Sequence, residues 1–442
     1  MANFPTITVE CAFTNTYSDP LWRSTSAGSP TWVDISSAVK SFSIRRGRST
    51  DLDRTEAGTC TVVLDNRDRS FDPSYTSGPY YGYLTPMRWF RISATWNGTT
   101  YRLYTGFTNS WVNTWPRGTN YPAITTVTCQ DGLAVLARWS GQLILSAPVL
   151  SFPAASSSFI NLVLSNAGLP PSTWSSPSGS DPGSTYSAII LSPNVATVTD
   201  PYTPPASTNG ANALQMLQNF VDNTEHGVHF INPNGQYRFI NRTAMTVGST
   251  DSPYASILAT FGDVSSAGEL GYEDLGFSLD DRYTRNVVRI SPSSASSNTL
   301  SVSNSTSIGL YGTQPLTYTS YATSTTQDAD LAALLLWKWK DPQERVTSIR
   351  INPLVDPTNL YPQVLARDLM DMVRINRRPW VNGSTSAVHT FDGHIESIQH
   401  DADSARMTWR TTYTVSPQRT WAFWALTSTV NSVLGRTTVL GY

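Results

Sequence analysis

A chain of 442 residues with a formal charge of −2, 30 basic side chains against 32 acidic ones, argues against a generally basic nucleic-acid surface and leaves room for no more than a local basic patch. The length suggests about three domains, with cores large enough to fold without disulfides or a structural metal. Only 14% of residues are charged, and Ser, Thr, Asn, Gly and Pro fill the difference, a composition of many short strands joined by loops.

Other classes are excluded as well. No segment approaches the ~18 apolar residues of a membrane span. The stretch MANFPTITVECAF has no charged region leading into an apolar run, so no signal peptide is expected. Cys11, Cys60 and Cys129 are too widely spaced for a disulfide framework or a zinc site. Cys60 and Cys129 alternate with Thr and Val, as small buried strand residues do. Such a chain is compatible with a reducing cytoplasm.

In chain order, TITVECAF alternates as a strand, YSDPLWRSTSAGSP is a loop, and FSIRRG, TCTVVL, FRISATW and YRLYTGF are β-branched and aromatic strands. WNGTTY places an Asn-Gly turn between the last two, which predicts a hairpin. ITTVTCQ adds a strand and GLAVLARW a small helix, completing a barrel- or sandwich-like unit over 1–140. RRGR at 45–48 is the densest basic cluster, and DLDR follows it at once, so it reads as a paired loop rather than a phosphate site.

Residues 141–268 read as an α/β module with Ser/Pro-rich loops. SSSFINLVLSNAG predicts one helix, with Phe159, Leu162 and Val163 on one face. NGANALQMLQNFVDNTEHG predicts another, with Ala213, Leu214, Leu217, Phe220 and Val221 at helical spacing and Gly227 as its stop. VHFINPNGQYRFINR is a hairpin turning at Asn234 and Gly235. In the third unit, 269–442, NVVRI is a strand and SPSSASSNTLSVSNSTS a polar hairpin or loop. DADLAALLLWKWKDP is a short helix ended by Asp341-Pro342. RVTSIRINPL, HTFDGHIESIQHD and ARMTWRTTYTV are strands, the last two a hairpin about HDADSA. The tail WAFWALTSTVNSVLGRTTVLGY is rich enough in aromatics to dock rather than fray. The predicted fold is mainly β: two barrel- or sandwich-like domains flank a smaller α/β module.

Candidate chemistry is sparse. Asp65, Asp68 and Asp72 could offer oxygen ligands to calcium, but Arg67 and Arg69 interleave with them and favour an ion-paired turn. His226 and His229, or His394 and His400 (set on one strand face by their even spacing), fall short of the roughly four ligands of a zinc site. Glu269, Glu273, Asp274, Asp280 and Asp281 are carboxylates from which no spacing selects a glycosidase pair. Trp22, Trp32, Trp111, Trp115 and Trp139 could stack on sugars, yet core or interface packing is the commoner fate of Trp. No GxSxG, HExxH, P-loop or GxGxxG stands in context. No catalytic residue, cofactor or metal is therefore expected.

SFSIRRGRSTDLDRTEAGTCTVVLDNRDRSFDPSY, continued by PMRWFRISATWNGTTYRLYTGF, resembles the N-terminal region of minor tail proteins of long-tailed (siphovirus) bacteriophages infecting actinobacteria. The ending SVLGRTTVLGY is similar to their C-termini. ALQMLQNFVDNTEHGVHFINPNGQYRFINR is similar to the inner module of baseplate-hub proteins, and IGLYGTQPL with DADLAALLLWKWKDPQERVTSIRINPL resembles their second β-domain. The resemblance implies a non-enzymatic tail-tip hub in the virion, at the distal end of the tail. It implies a homotrimeric ring that imitates sixfold symmetry, with a hexameric distal tail ring as the alternative. Implied partners are the distal tail or tail tube protein, the C-terminus of the tape-measure protein in the lumen, and receptor-binding or fibre proteins. DNA would pass through the ring without sequence-specific binding. The competing class is a peripheral carbohydrate-binding or wall-degrading tail protein. RRGRSTDLDR and LDNRDRSFDP are expected to be inter-subunit or tube-facing loops.

Overall fold

A computed structural model describes residues 4–15, 31–115, 123–139, 212–240, 256–263, 268–292, 299–322, 325–381, 384–385 and 387–418, with short pieces at 160, 163–164, 167, 189–191, 422–423 and 438–439. The molecule is mainly β, with large antiparallel sheets and few helices. Most of the first helix predicted in the middle unit and most of the aromatic tail lie outside the described residues.

The N-terminal strands are β1 (Thr6–Ala12), β2 (Val33–Asp34), β3 (Val39–Gly47), β4 (Thr59–Asp65), β5 (Trp89–Trp96), β6 (Thr99–Thr114) and β7 (Ile124–Gln130). They lie in the order β3-β4-β7-β6-β5-β1-β2, and each consecutive pair is antiparallel. The WNGTTY hairpin forms as predicted: Asn97 and Gly98 both have positive φ, 47° and 80°, the pair of left-handed residues that the twist of a two-residue hairpin demands. Cys60 and Cys129 face each other across β4 and β7, buried and unoxidised. Helix α1 (Gly132–Arg138) is capped by Asp131, whose side chain accepts from the Leu133 amide.

The middle of the chain gives a small sheet, β8 (Ile189–Leu191), β10 (Tyr237–Ile240) and β9 (Val228–Ile231), side by side in that order. Helix α2 (Ala213–Phe220) packs beside it, capped by Asn212. Ala213, Met216, Leu217 and Phe220 are its buried face, close to the predicted one. The helix stop differs. The chain runs on through a π-helical turn, Val221–Glu225, and the left-handed residue that closes it is His226, at φ 51°, rather than Gly227.

Short strands β11 (Ala259–Gly262) and β12 (Leu270–Gly271) follow, then β13 (Asp274–Asp280), β14 (Val287–Pro292), β15 (Leu300–Ser303), α3 (Ser305–Tyr311), β16 (Pro315–Ser320) and α4 (Thr325–Trp339). After them come β17 (Gln343–Ile351), α5 (Pro357–Ala366), β18 (Met372–Arg377), the short pair β19 (Trp380–Val381) and β20 (Ser384–Thr385), β21 (His389–Asp403) and β22 (Thr408–Pro417). The β21–β22 hairpin forms, but it turns at 404–407, so HDADSA contributes mainly strand. A separate three-stranded sheet, β15-β14-β16, packs on α4 through Val288, Ile290, Leu331, Leu335 and Trp339.

β21 pairs antiparallel with β3, from Ser397 opposite Gly47 to Asp403 opposite Ser41. One 14-stranded sheet therefore contains strands from both ends of the chain. A single apolar core follows the sheet, uniting Ile44, Val62 and Ile92 with Ile349, Trp409 and Tyr413. Trp409 stacks edge-on against Phe42 and Tyr361, at 5.6 and 5.9 Å between ring centroids, contacts that add to the apolar area buried.

The junction has no room at Gly47. Its φ is +95°, and a Cβ there would lie 2.1 Å from the Glu396 carbonyl oxygen and 2.7 Å from Leu369 Cδ2. Gly47→Ala is expected to lower stability by about 3 kcal/mol or more, since backbone strain and a clash with backbone add. Gly98→Ala, at positive φ in open space, serves as the control and should cost about 1 kcal/mol. Urea denaturation of the two variants checks the difference, and equal costs would contradict it.

Candidate functional site

The stretch RRGRSTDLDR leaves β3 as an arm that crosses the molecule and carries the densest set of buried ion pairs. Arg46 Nη2 meets Asp368 at 2.8 Å and its Nη1 donates to the Ile231 carbonyl at 3.3 Å. The Arg48 amide donates to the Glu396 carbonyl at 2.9 Å, and its Nε to the Glu396 carboxylate at 2.7 Å. Asp51 accepts from Arg345 at 2.7 Å and from the Trp339 indole at 3.1 Å, with Lys338 at 3.4 Å. The Thr55 carbonyl accepts from Gln218 of α2 at 3.2 Å. One ten-residue segment thus ties the central module and two parts of the C-terminal region to the N-terminal strands.

The predicted position of this loop, between subunits or against the tube, is corrected by that geometry. Arg46, Arg48 and Asp51 are buried inside the chain; Arg45 remains exposed. Pairing was expected with the adjacent DLDR. The ion-pair partners lie about 300 residues away, in the third strand unit. Burying these ions is costly, and the further hydrogen bonds that Arg46, Arg48 and Asp51 make to Ile231, the Glu396 backbone and Trp339 help to offset that cost.

A cavity of about 490 Å³ opens beside the arm. Its walls are the arm (Arg48, Asp51, Leu52, Asp53 and Arg54), the end of α2 with its π turn (Asn219, Asp222, Asn223, His226) and β16 (Thr317, Tyr318, Thr319) with Tyr321. Two aspartates of this region have opposite fates. Burial opposes the ionisation of Asp51, but Lys338, Arg345 and Arg48 outweigh it and hold the carboxyl well below the usual carboxylate range. Asp222 has both oxygens shielded from solvent and no hydrogen-bond partner among the described residues. Its burial pushes the carboxyl up to about 6, against the attraction of Arg48 and Arg54.

The other candidates resolve into separate local arrangements. Asp65 pairs with Arg67 and Lys40, and Asp72 with Arg69, while Asp68 accepts from the Ser70 hydroxyl and amide: an ion-paired turn. Glu269 is held by Arg378 and Asn376, Glu273 by Arg410, and Asp274 lies 3.9 Å from Arg350. Asp280 accepts the Arg282 amide. These carboxylates are spread over different arginines, and no two are brought together. His229 and His400 are buried and pushed down to about 3 by desolvation and by Arg48 and Arg46 respectively.

His394 and His400 do not share a face. A bulge between Ile395 and Ser397 inserts Glu396 and reverses the alternation: Phe391 and Ile395 point to the core before it, Ile398, His400 and Ala402 after it. Trp22 lies outside the described residues. Trp32 stacks under Arg91 at 4.0 Å, and Trp111 lies parallel to Phe71 at 6.3 Å. Trp139 packs against the α1–α2 core. Only Trp115, 52% exposed, stands free of the core. Asp222 escaped sequence reading because a single aspartate in a helical stretch reads as solvated surface.

The fold is one shared with phage tail proteins. Over 93% of its length the chain is similar to the 43 kDa tail protein of prophage MuSo2 from Shewanella oneidensis, at TM-score 0.51 and 11% identity, covering 99% of that chain. Its fold is likewise similar to that of a tail protein from Neisseria meningitidis MC58, at TM-score 0.51 and 11% identity, covering 93% of this chain and 96% of that one. No protein-family model and no curated protein matches the sequence.

The two aspartates predict opposite pH behaviour. Asp51→Asn leaves Arg345 and Lys338 without their buried counter-charge and should cost about 3–5 kcal/mol at pH 7. Because the folded-state carboxyl titrates below the unfolded one, the wild type's advantage is full above the ordinary aspartate range and shrinks as pH falls below about 4. Asp222 titrates higher folded than unfolded, so the folded state takes up a proton and stability falls as pH rises from about 4 through 6. Asp222→Asn should therefore stabilise the protein at pH 7 and leave it unchanged at pH 4. Denaturation curves of both variants at pH 3, 4 and 7 check the signs.

Proposed function

We propose that the chain is a structural, non-enzymatic subunit of a ring at the distal end of a bacteriophage tail, a tail-tip hub that closes or adapts the tube and anchors the receptor-binding components. The observation that carries the reading is the fold, shared with two tail proteins, one of them from a prophage, over nearly the whole of those chains. The three proposed units are 1–140, 141–268 and 269–442. Two strand-rich units per subunit supply six similar positions from three copies, which supports a trimer over a hexamer. The proposed neighbours are the tail tube or distal tail protein above, receptor-binding or fibre proteins below, and the C-terminus of the tape-measure protein in the lumen.

The segment between β4 and β5 is the proposed contact with neighbouring subunits. Arg67 is 72% exposed, and Tyr81 and Tyr83, 48% and 44% exposed, lie on the same excursion. Aromatic side chains flanked by charge suit a protein interface.

Electron microscopy of the purified protein, or of virions, should reveal a ring with a central lumen on the tail axis. A strictly monomeric particle, or a location off that axis, overturns the reading. Asp68→Arg combined with Tyr81→Ala should reduce ring formation at least tenfold while leaving the thermal midpoint within a few degrees. A decrease in the midpoint equal to that of a core variant would instead mark the segment as structural.

A further inference from the structure

We propose that the cavity at Asp222 binds an organic cation, a primary ammonium or guanidinium group, seated on the Asp222 carboxylate. The inference stands apart from the tail reading, since it rests on the cavity alone. A buried carboxylate without a donor is a standing cost to the fold, and the attraction of Arg48 and Arg54 offsets it only in part. Arg48 is committed to Glu396 at 2.7 Å. Asp51 is committed to Arg345, and Asp53 accepts from the Thr50 hydroxyl at 2.9 Å. Arg54, exposed at the mouth, reaches Asn219 at 3.5 Å rather than Asp222.

The walls also hold acceptors and two tyrosines. Thr317, Thr319 and the Asp53 carboxylate add oxygens, and Tyr318 and Tyr321 line the same space. Carboxylate plus tyrosine is the chemistry that holds ammonium and guanidinium groups, by charge-assisted hydrogen bonds and by attraction to the ring face. A divalent metal fits less well. It would want six or more oxygens at close range, and no group of three acidic, His or Cys ligands occurs among the described residues. The volume, about 490 Å³, exceeds that of a bare ion and accommodates a small organic group.

The π turn that carries Asp222 adds to the case. Such turns cost helix geometry and recur at functional positions. This one, Val221–Glu225, is pinned at its far end by left-handed His226, and the Thr224 hydroxyl accepts the Tyr321 amide at 3.0 Å. The carboxylate is therefore fixed relative to β16 across the cavity.

Calorimetric titration of the full chain with putrescine and with methylguanidinium at pH 7.5 and low salt tests the proposal. One probe or both should bind saturably at one site. Asp222→Asn should weaken that binding at least tenfold without lowering the thermal midpoint. In the wild type, affinity should fall about tenfold per pH unit below 6, with proton release on binding, because the cation and the proton compete for the same oxygens. No saturable binding of either probe, equal binding by Asp222→Asn, or an affinity indifferent to pH overturns it. In assembled particles, carbodiimide coupling of Asp222 to a lysine of another chain identifies a side chain as the natural occupant. Putrescine retained through gel filtration identifies a free amine.

Discussion

The structure depends on one close approach, the point where the end of β3 meets the bulge of β21. Gly47 is opposite Ser397, and the space its missing side chain leaves is filled by the Glu396 carbonyl. The bulge that projects this carbonyl also turns the Glu396 side chain toward Arg48, the residue that follows the glycine. Glycine, bulge and ion pair are a single device. Each part makes sense only with the other two: without the glycine the strands cannot close, and without the bulge Ile395 and Ile398 could not both face the apolar core. Without Arg48 the Glu396 charge would be buried alone.

From that point the arm distributes polar contacts through the molecule. Backbone pairing alone would fix β3 against β21, but it would not set where the central module or α4 sit. Arg46 reaching Ile231, Asp51 reaching Arg345 and Trp339, and Thr55 accepting from Gln218 do so. Buried ion pairs add little net stability against apolar replacements of the same shape. Their directional demands are strict, however. A misdocked arrangement of these parts leaves several charges unpaired in a low-dielectric interior. The arm is accordingly read best as a specification of relative placement, while the continuous core around Trp409 and Tyr413 supplies most of the free energy.

Much of the strand content was legible because it rests on local signals. TITVECAF, TCTVVL and ITTVTCQ largely alternate, and Val9, Cys11, Cys60, Val62, Leu64, Val127 and Cys129 are among their buried residues. The Asn97-Gly98 turn is likewise readable over four residues. What escaped has non-local causes. Strand β13 is half exposed and polar, and only its pairing with β17 makes it a strand. Helix α5 contains Pro362 and starts at Pro357, composition that reads as a loop until Leu360, Tyr361, Val364 and Leu365 are seen buried in the core. The bulge at Glu396 has no sequence mark, yet it decides which face each histidine of β21 occupies. The candidate site was invisible for the same reason, because Asp222 matters only through what lies opposite it on β16 and the arm.

The two kinds of joint in this chain suit different tasks. The N- and C-terminal strands share a continuous backbone ladder and one core, so they move together or not at all. The central module has its own sheet, β8-β10-β9. It joins the rest by side-chain bonds from the arm and by the apolar contacts of Val228, Phe230 and Ile240. In the proposed ring, fixed geometry between the two strand-rich halves is what lets three subunits present six equivalent positions, and the ladder provides that. The module is the part whose attachment can be tuned, and the Asp222 cavity lies on its border with the arm and β16. An occupant there would replace an uncompensated carboxylate with a paired one and tighten that border. Binding at this place thus acts on a connection made by side chains rather than by a backbone ladder.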